Sequence, residues 1–405
     1  MVVRVIPGVP RKVLIVLGIL LAVVAIPAAI AFALVPEDAR RDTPIVLDGQ
    51  VLTVDQVGQT IIVGGDFTQV QTTRNGPIVN QAGLFAYDAD TGAFNEDFRP
   101  VLTNSGASPV AVNDIEPDPD GRHIYIGGNF LRIDDGVDRF RGRVAKIDVT
   151  RGRVDQTFSQ SLIGAAPSTV AYSEGWLYVG GTFESVSDVL TNTNFSVLGL
   201  VRVNAETGAY DRNFRYEPRV DIGRSFDGEP RVRGVAVVDV TPDGTSLVVA
   251  HRGAQLRDMT RGVSVDAGGV AIIALGNNPA THSIRNFAPL FPDPNDPIQE
   301  FFHAGQCGDD RGVQIRDLEI SPDGSYFVVV SQGADRGIQC DTASRFNITG
   351  SPTRPSWVHR GFDSLFSVGI ADDAVYIGGH HRFMVHPDAP STYPGITLGL
   401  SLIHI

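Results

Sequence analysis

Lysine is almost missing from this chain. Lys12 and Lys146 are the only two in 405 residues, and every other base is arginine. Cysteine is nearly as scarce: Cys307 and Cys340 stand alone. That excludes a disulfide-dense scaffold and a cysteine-built zinc site, which needs a cluster of ligands. Positive charge is also short. With 33 bases against 46 acids the net charge is −13, which argues against a nucleic-acid partner. Helical periodicity is missing past the N-terminal region, and so are the nucleophile elbow, the P-loop and the dinucleotide-binding fingerprint. At 42% hydrophobic residues the chain is still able to bury a large core.

Only one long apolar run is present. Arg4, Arg11 and Lys12 precede an uncharged stretch from Val13 to Pro36, and Glu37, Asp38, Arg40 and Arg41 follow it. A spanning helix needs about 20 apolar residues, so this run is long enough. Positive charge on its N-terminal side places that side in the cytoplasm and the remainder outside. We therefore read residues 1–12 as a cytoplasmic basic segment, 13–36 as a transmembrane signal-anchor and 37–45 as a linker. The competing reading is a secreted protein cleaved after Ala31-Phe-Ala33. In an exported chain the even cysteine count predicts one Cys307–Cys340 bridge.

The remainder is built on one recurring hairpin. Asp114-Ile-Glu-Pro-Asp-Pro-Asp-Gly-Arg-His-Ile-Tyr-Ile-Gly-Gly-Asn-Phe130 combines a short strand, a Pro-Asp-Gly turn, a β-rich strand and a Gly-Gly break. Relatives of it occur at 53–67, 170–183, 239–250, 317–330 and 368–379. A second element follows it: Leu84–Phe98, Val144–Phe158 and Leu200–Phe214 each hold an alternating strand, an Asp or Asn, a Thr-Gly or Arg-Gly turn and a closing Phe. Four short strands per unit at this period predict an all-β fold, a propeller of six to seven four-stranded blades over residues 46–399.

The Gly-Gly-x-Phe strand followed by the Asp-x-x-Thr-Gly strand pair resembles the delta-60 repeat of exported bacterial β-propellers, over roughly residues 46 to 390. The stretch from Ser356 to Phe383 is similar to a late blade of that family. The resemblance implies a propeller and export, and supplies no catalytic set. The chain departs from the pattern at its end, where no further strand pair follows Gly379. Residues 400–405 read as a translated sequencing adapter, so the last blade is expected to be truncated and to leave an open seam.

Acids beside the Pro-Asp-Gly turns are the most suggestive polar set. Glu116, Asp239 and Glu319 share one register counted from the turn proline, with Thr53, Val170 and Val368 in that register elsewhere. Asp114 and Asp317 lie two residues earlier on the same face. They are candidate channel-lining residues, able to hold calcium or to bond backbone between blades; the latter is the expectation, so no cofactor and no metal site are assigned. Asp88, Asp148 and Asn204 are expected to cap turns. Asp134-Asp-Gly-Val-Asp138 is too irregular for a calcium loop, Asp293–Pro297 reads as a proline-rich loop, and His380, His381 and His386 read as a solvated group. Phe301, Phe302, Arg354 and Trp357, in long insertions, are candidate rim contacts. No catalytic residue is assigned. The expected task is binding or scaffolding at the cell surface for a protein or glycan ligand. The alternative is a channel-mouth enzyme, for instance a hydrolase, lyase or quinone-dependent dehydrogenase.

Overall fold

The computed structural model describes residues 40–105, 109–136, 139–188, 191, 193–219, 234–253, 255–267, 269–276, 281–285, 290–292, 301–303, 314–332, 334–335, 338–339, 342–350, 354–360, 364–371, 374–379, 383–384 and 396–397. The expected anchor 13–36, Cys307 and Cys340 of the expected bridge, His380, His381, His386, and residues 293–297 and 400–405 lie outside them. Two compact units are present, Met1–Arg40 and Arg41–Ile405, and every described strand belongs to the second. Among the described residues there is no α-helix, and no helix is long and apolar enough to cross a membrane.

Six antiparallel hairpins form the frame. The first sheet joins Val51–Val57, Thr60–Gly65 and Leu84–Asp88. The second joins Ala111–Pro117, His123–Asn129 and Val144–Asp148; the third, Pro167–Ser173, Trp176–Gly181 and Leu200–Asn204. The fourth and fifth have four strands, ending in Ser283–Ile284 and Trp357–Arg360. Of the sixth, Leu365–Ala371 and Ala374–Gly379 are described. In sheets one to three the fourth strand shrinks to a single bridge, such as Tyr87 with Phe94. First strand packs against first strand from each sheet to the next.

The hairpin chemistry follows the sequence closely. In the second, fourth and fifth sheets the Gly121, Gly244 and Gly324 amides donate back to Asp118, Thr241 and Ser321. Each of these glycines has φ near +68°, a conformation that costs a side chain dearly. The Asp of each turn then accepts from the amides beyond it, as Asp243 does from Thr245 at 3.0 Å. Phe98, Phe158 and Phe214, fourteen residues past their strand starts, are all fully buried.

The glycine pair has a double reason. A Cβ at Gly64, Gly127 or Gly180 would meet Val112, Val170 or Val235 of the following sheet, at 2.9, 3.1 and 2.7 Å. A Cβ at Gly65 or Gly128 would lie 2.1 Å from the carbonyl of Gln50 or Ala111. The first glycine therefore lets sheets approach, and the second lets the incoming strand pass.

Two features go beyond the four-strand expectation. Between the Gly-Gly strand and the third strand lies an extra hairpin, which pairs with the segment leading into the unit. It forms separate three-stranded sheets: Ile45–Val46, Gln69–Gln71 and Ile78–Asn80 is the first, and sheets two to four have counterparts. In addition, all six first strands carry a β-bulge at the same place, at Leu52, Asn113, Ser168, Ala236, Arg316 and Phe366. A bulge bends its strand and re-aims the residues after it.

Candidate functional site

The strand after each bulge defines the site. Thr53, Asp114, Thr169, Val237, Asp317 and Ser367 share one position, because each pairs with the residue at the first-glycine position. Two residues on, Asp55, Glu116, Ala171, Asp239, Glu319 and Gly369 share the next inward position. The expected alignment of Glu116, Asp239 and Glu319, and of Asp114 with Asp317, agrees with this register. Three placements need correction. Thr53 belongs with Asp114, whereas Val170 and Val368 sit one residue later and point to the opposite face.

Asp55 is the member that turn-counting misses. Its hairpin closes through Gly58 between Val57 and Thr60, a shorter turn than Pro-Asp-Gly. Counting along the paired strand from Gly64 would have found it.

The acids are put to a common use. One oxygen of Asp114 accepts from its own strand, the Ile115 amide at 2.9 Å. The other accepts from the Val170 amide of the third sheet at 2.8 Å. Asp317 repeats this with Leu318 (2.8 Å) and with Val368 of the sixth sheet (2.9 Å). Thr169 takes the Val238 amide of the fourth sheet at 3.2 Å. At the next inward position, Glu116 accepts from Tyr172 at 3.0 Å and Asp239 from Ile320 at 2.8 Å, again in the following sheet. Bulge residues add a layer in the other direction: Asn113 and Ser168 donate to the carbonyls of Pro167 and Val235, at 2.7 and 2.8 Å.

Two acids stand outside this scheme. The amide that would face Asp55 belongs to Pro117, which has no N–H. Among the described residues Asp55 bonds only its neighbour Gln56, at 2.6 Å. Glu319 receives no amide hydrogen bond among the described residues.

Burial governs the electrostatics. It pushes Asp114 and Asp239 up to about 7, Asp317 and Asp55 to about 6, and Glu319 to about 8, while Glu116 lies well above the usual carboxylate range. The bridging amides oppose this, and mutual repulsion adds to it. Glu319 feels Asp239, Asp317, Asp55 and Asp114, so acids from four sheets share one interior space. Among the described residues, no three His, Cys, Asp or Glu side chains converge as a metal-ligand set.

Other candidates resolve individually. Asp88, Asp148 and Asn204 cap turns, accepting from Thr91, Thr150 and Thr207 at 2.8, 3.0 and 2.9 Å. Asp134 accepts from Gly136 and Asp135 from Val154, so that segment serves a loop. Trp357 lies in the outer strand of the fifth sheet, partly buried against the fifth–sixth core and 4.5 Å from the His359 ring. It therefore covers a sheet edge. Arg354 is exposed. Phe301 and Phe302 pair with Pro292 and Phe291 in a two-stranded ribbon.

A buried cation pair was not foreseen. Lys146 meets Asp118 at 2.6 Å, and Tyr125 donates both to Asp118 (2.7 Å) and to the Ala205 carbonyl of the third sheet (2.9 Å). Burial, the largest influence, would raise Asp118; the hydrogen bonds from Lys146, the Asp120 amide and Tyr125, with the Lys146 charge, together outweigh it and hold the carboxyl below its usual value. Arg202 takes the same position in the third sheet, over the Trp176 ring at 4.4 Å and bonded to Asp211 at 2.9 Å.

No protein-family model and no curated protein matches the chain. Among solved structures it is similar to U3-55K, at 13% identity over 84% of this chain and 79% of that one, with a TM-score of 0.45. It is also similar to the RRP9 WD40 repeats, at 13% identity over 86% and 80%, with a TM-score of 0.44. Similarity this distant says nothing of what the chain does.

Proposed function

We propose that the chain is an exported β-propeller of six to seven blades, tethered by residues 13–36 and stapled by Cys307–Cys340. In this reading it belongs with the delta-60 repeat proteins and acts as a binding or scaffolding module at the cell surface. Its ligand is a protein or a glycan. One observation carries the reading: four of the six inner-strand acids are spent on bonds to the next sheet. Side chains engaged this way stiffen a frame and leave recognition to the loops and extra hairpins it carries. Phe301, Phe302 and Arg354 are the contacts assigned to the ligand.

The test is a glycan and surface-protein binding screen on the full chain in nanodiscs. A specific ligand should survive Glu319→Gln and be lost in Phe302→Ala with Arg354→Ala. A second reading, a channel-mouth hydrolase, lyase or quinone-dependent dehydrogenase, is favoured by Glu319 alone. A carboxyl near 8 with no amide partner among the described residues suits a general acid. Turnover abolished by Glu319→Gln would replace the first reading with the second.

A further inference from the structure

The bulge residues are used differently from sheet to sheet. Asn113 and Ser168 spend their donors on carbonyls of the following sheet. Arg316 holds the same place in the fifth sheet, with five N–H donors. Among the described residues its side chain makes no hydrogen bond and no ion pair, and its Nε is buried without a partner. A buried donor left unbonded is costly and calls for an acceptor.

Charge sharpens that requirement. Ile315, just before Arg316, packs in one core cluster with Ala250 of the fourth sheet, as Val112 packs over Gly64. Two residues past Ala250, the exposed Arg252 brings a second guanidinium to the same end of these sheets. Its side chain also has no hydrogen bond or ion pair among the described residues. Burial and the Arg252 charge both push the Arg316 guanidinium down, and no carboxylate among the described residues offsets them. Asp317, next in sequence, has its oxygens bonded to the Leu318 and Val368 amides. Elsewhere the chain does pair its arginines: Arg202, Arg212 and Arg261 each meet an aspartate. Arg316 lies instead 5.8 Å from the centre of the Phe366 ring in the sixth sheet. That attraction uses the flat face of the guanidinium and leaves its in-plane N–H groups for another acceptor.

We propose that Arg316 and Arg252 form an anion site between the fourth and fifth sheets, which takes one oxyanion group of a ligand: a carboxylate, sulfate or phosphate. Arg316 is the anchor, its planar fork bonding two oxygens, and Arg252 adds a second charge from the exposed side. The site shares no residue with Phe301, Phe302 and Arg354, so it stands whether or not those bind the ligand.

The test titrates sodium sulfate, sodium phosphate and sodium acetate into the full chain in nanodiscs, with sodium chloride at matched ionic strength as the reference. The signal is the Arg316 Nε–H resonance, assigned by its loss in Arg316→Lys. At least one oxyanion should move that resonance saturably where chloride does not, and the tightest of the three names the group. Arg252→Gln, at an exposed position, should weaken that binding at least about tenfold, as the loss of a charged hydrogen bond does. A resonance that no oxyanion moves overturns the proposal. So does saturable binding that Arg252→Gln leaves unchanged.

Discussion

The junction between the second and third sheets differs sharply from that between the first and second, although the backbone repeats. Asn113, Asp114 and Glu116 all reach the third sheet, and Tyr125 crosses to Ala205. At the equivalent places the first sheet has Leu52, Thr53, Asp55 and Ile62, and among the described residues none of these bonds the second sheet. One cause is covalent. Pro117 removes the amide that an acid at position 55 would hold, whereas Tyr172 offers it to Glu116. Packing alone can therefore carry this architecture, with polar bridges added where the neighbour's backbone offers a donor.

The largest way to break the contrast is to attack the buried pair. Asp118→Ala leaves Lys146 charged and unpaired in the second sheet, a loss of about 3–5 kcal/mol. Denaturant unfolding should show it as a lower midpoint, and Lys146→Met in the same chain should recover a large part. Next in size, Asp114→Ala with Glu116→Ala strands the Val170 and Tyr172 amides, at about 1–3 kcal/mol each. Asp55→Ala, which frees only the exposed Gln56 amide of its own strand, should cost far less in the same melts.

The pH dependence is of intermediate size. These acids hold protons in the folded state that the unfolded chain has already released, so stability falls as pH rises from about 4 through the folded values. His251, buried with neither ring nitrogen bonded and pushed down to about 4, opposes this only below its ordinary value near 6.5. Between pH 6.5 and 8.5 the acids therefore act alone, with Asp114, Asp239 and Glu319 titrating. Melting should weaken across that interval by about 1–4 kcal/mol. Glu319→Gln should flatten the curve.

The smallest effect sharpens the comparison. Pro117→Ala returns an amide opposite Asp55, whose carboxyl should then drop below about 6, read by its carbon resonance during titration. Overall stability should barely move, since a net hydrogen bond of about 0.5–1.5 kcal/mol offsets the lost rigidity of proline.

Much of the frame was legible in the residues, and the exceptions have physical reasons. The Pro-Asp-Gly turns, the glycine pairs and the closing phenylalanines are local signals, and each falls where expected. The extra hairpins are not local: Gln69–Gln71 and Ile78–Asn80 are three residues each, too short to show a period of two. The bulges leave no residue signature, since Leu, Asn, Ser, Ala, Arg and Phe all occupy them. Asp55 was hidden by turn length, and the bridging role of Asp114 and Glu116 by dependence on a backbone 56 residues away.

If the inner acids tie each sheet to the next, removing one should loosen a single junction. Hydrogen exchange at the Ile320 amide in Asp239→Ala is the decisive measurement, because Asp239 makes the one such bridge described at the junction of the fourth and fifth sheets. Exchange at Ile320 should quicken, with the Val170 and Tyr172 amides unchanged. Unaltered protection at Ile320 would contradict the bridging role.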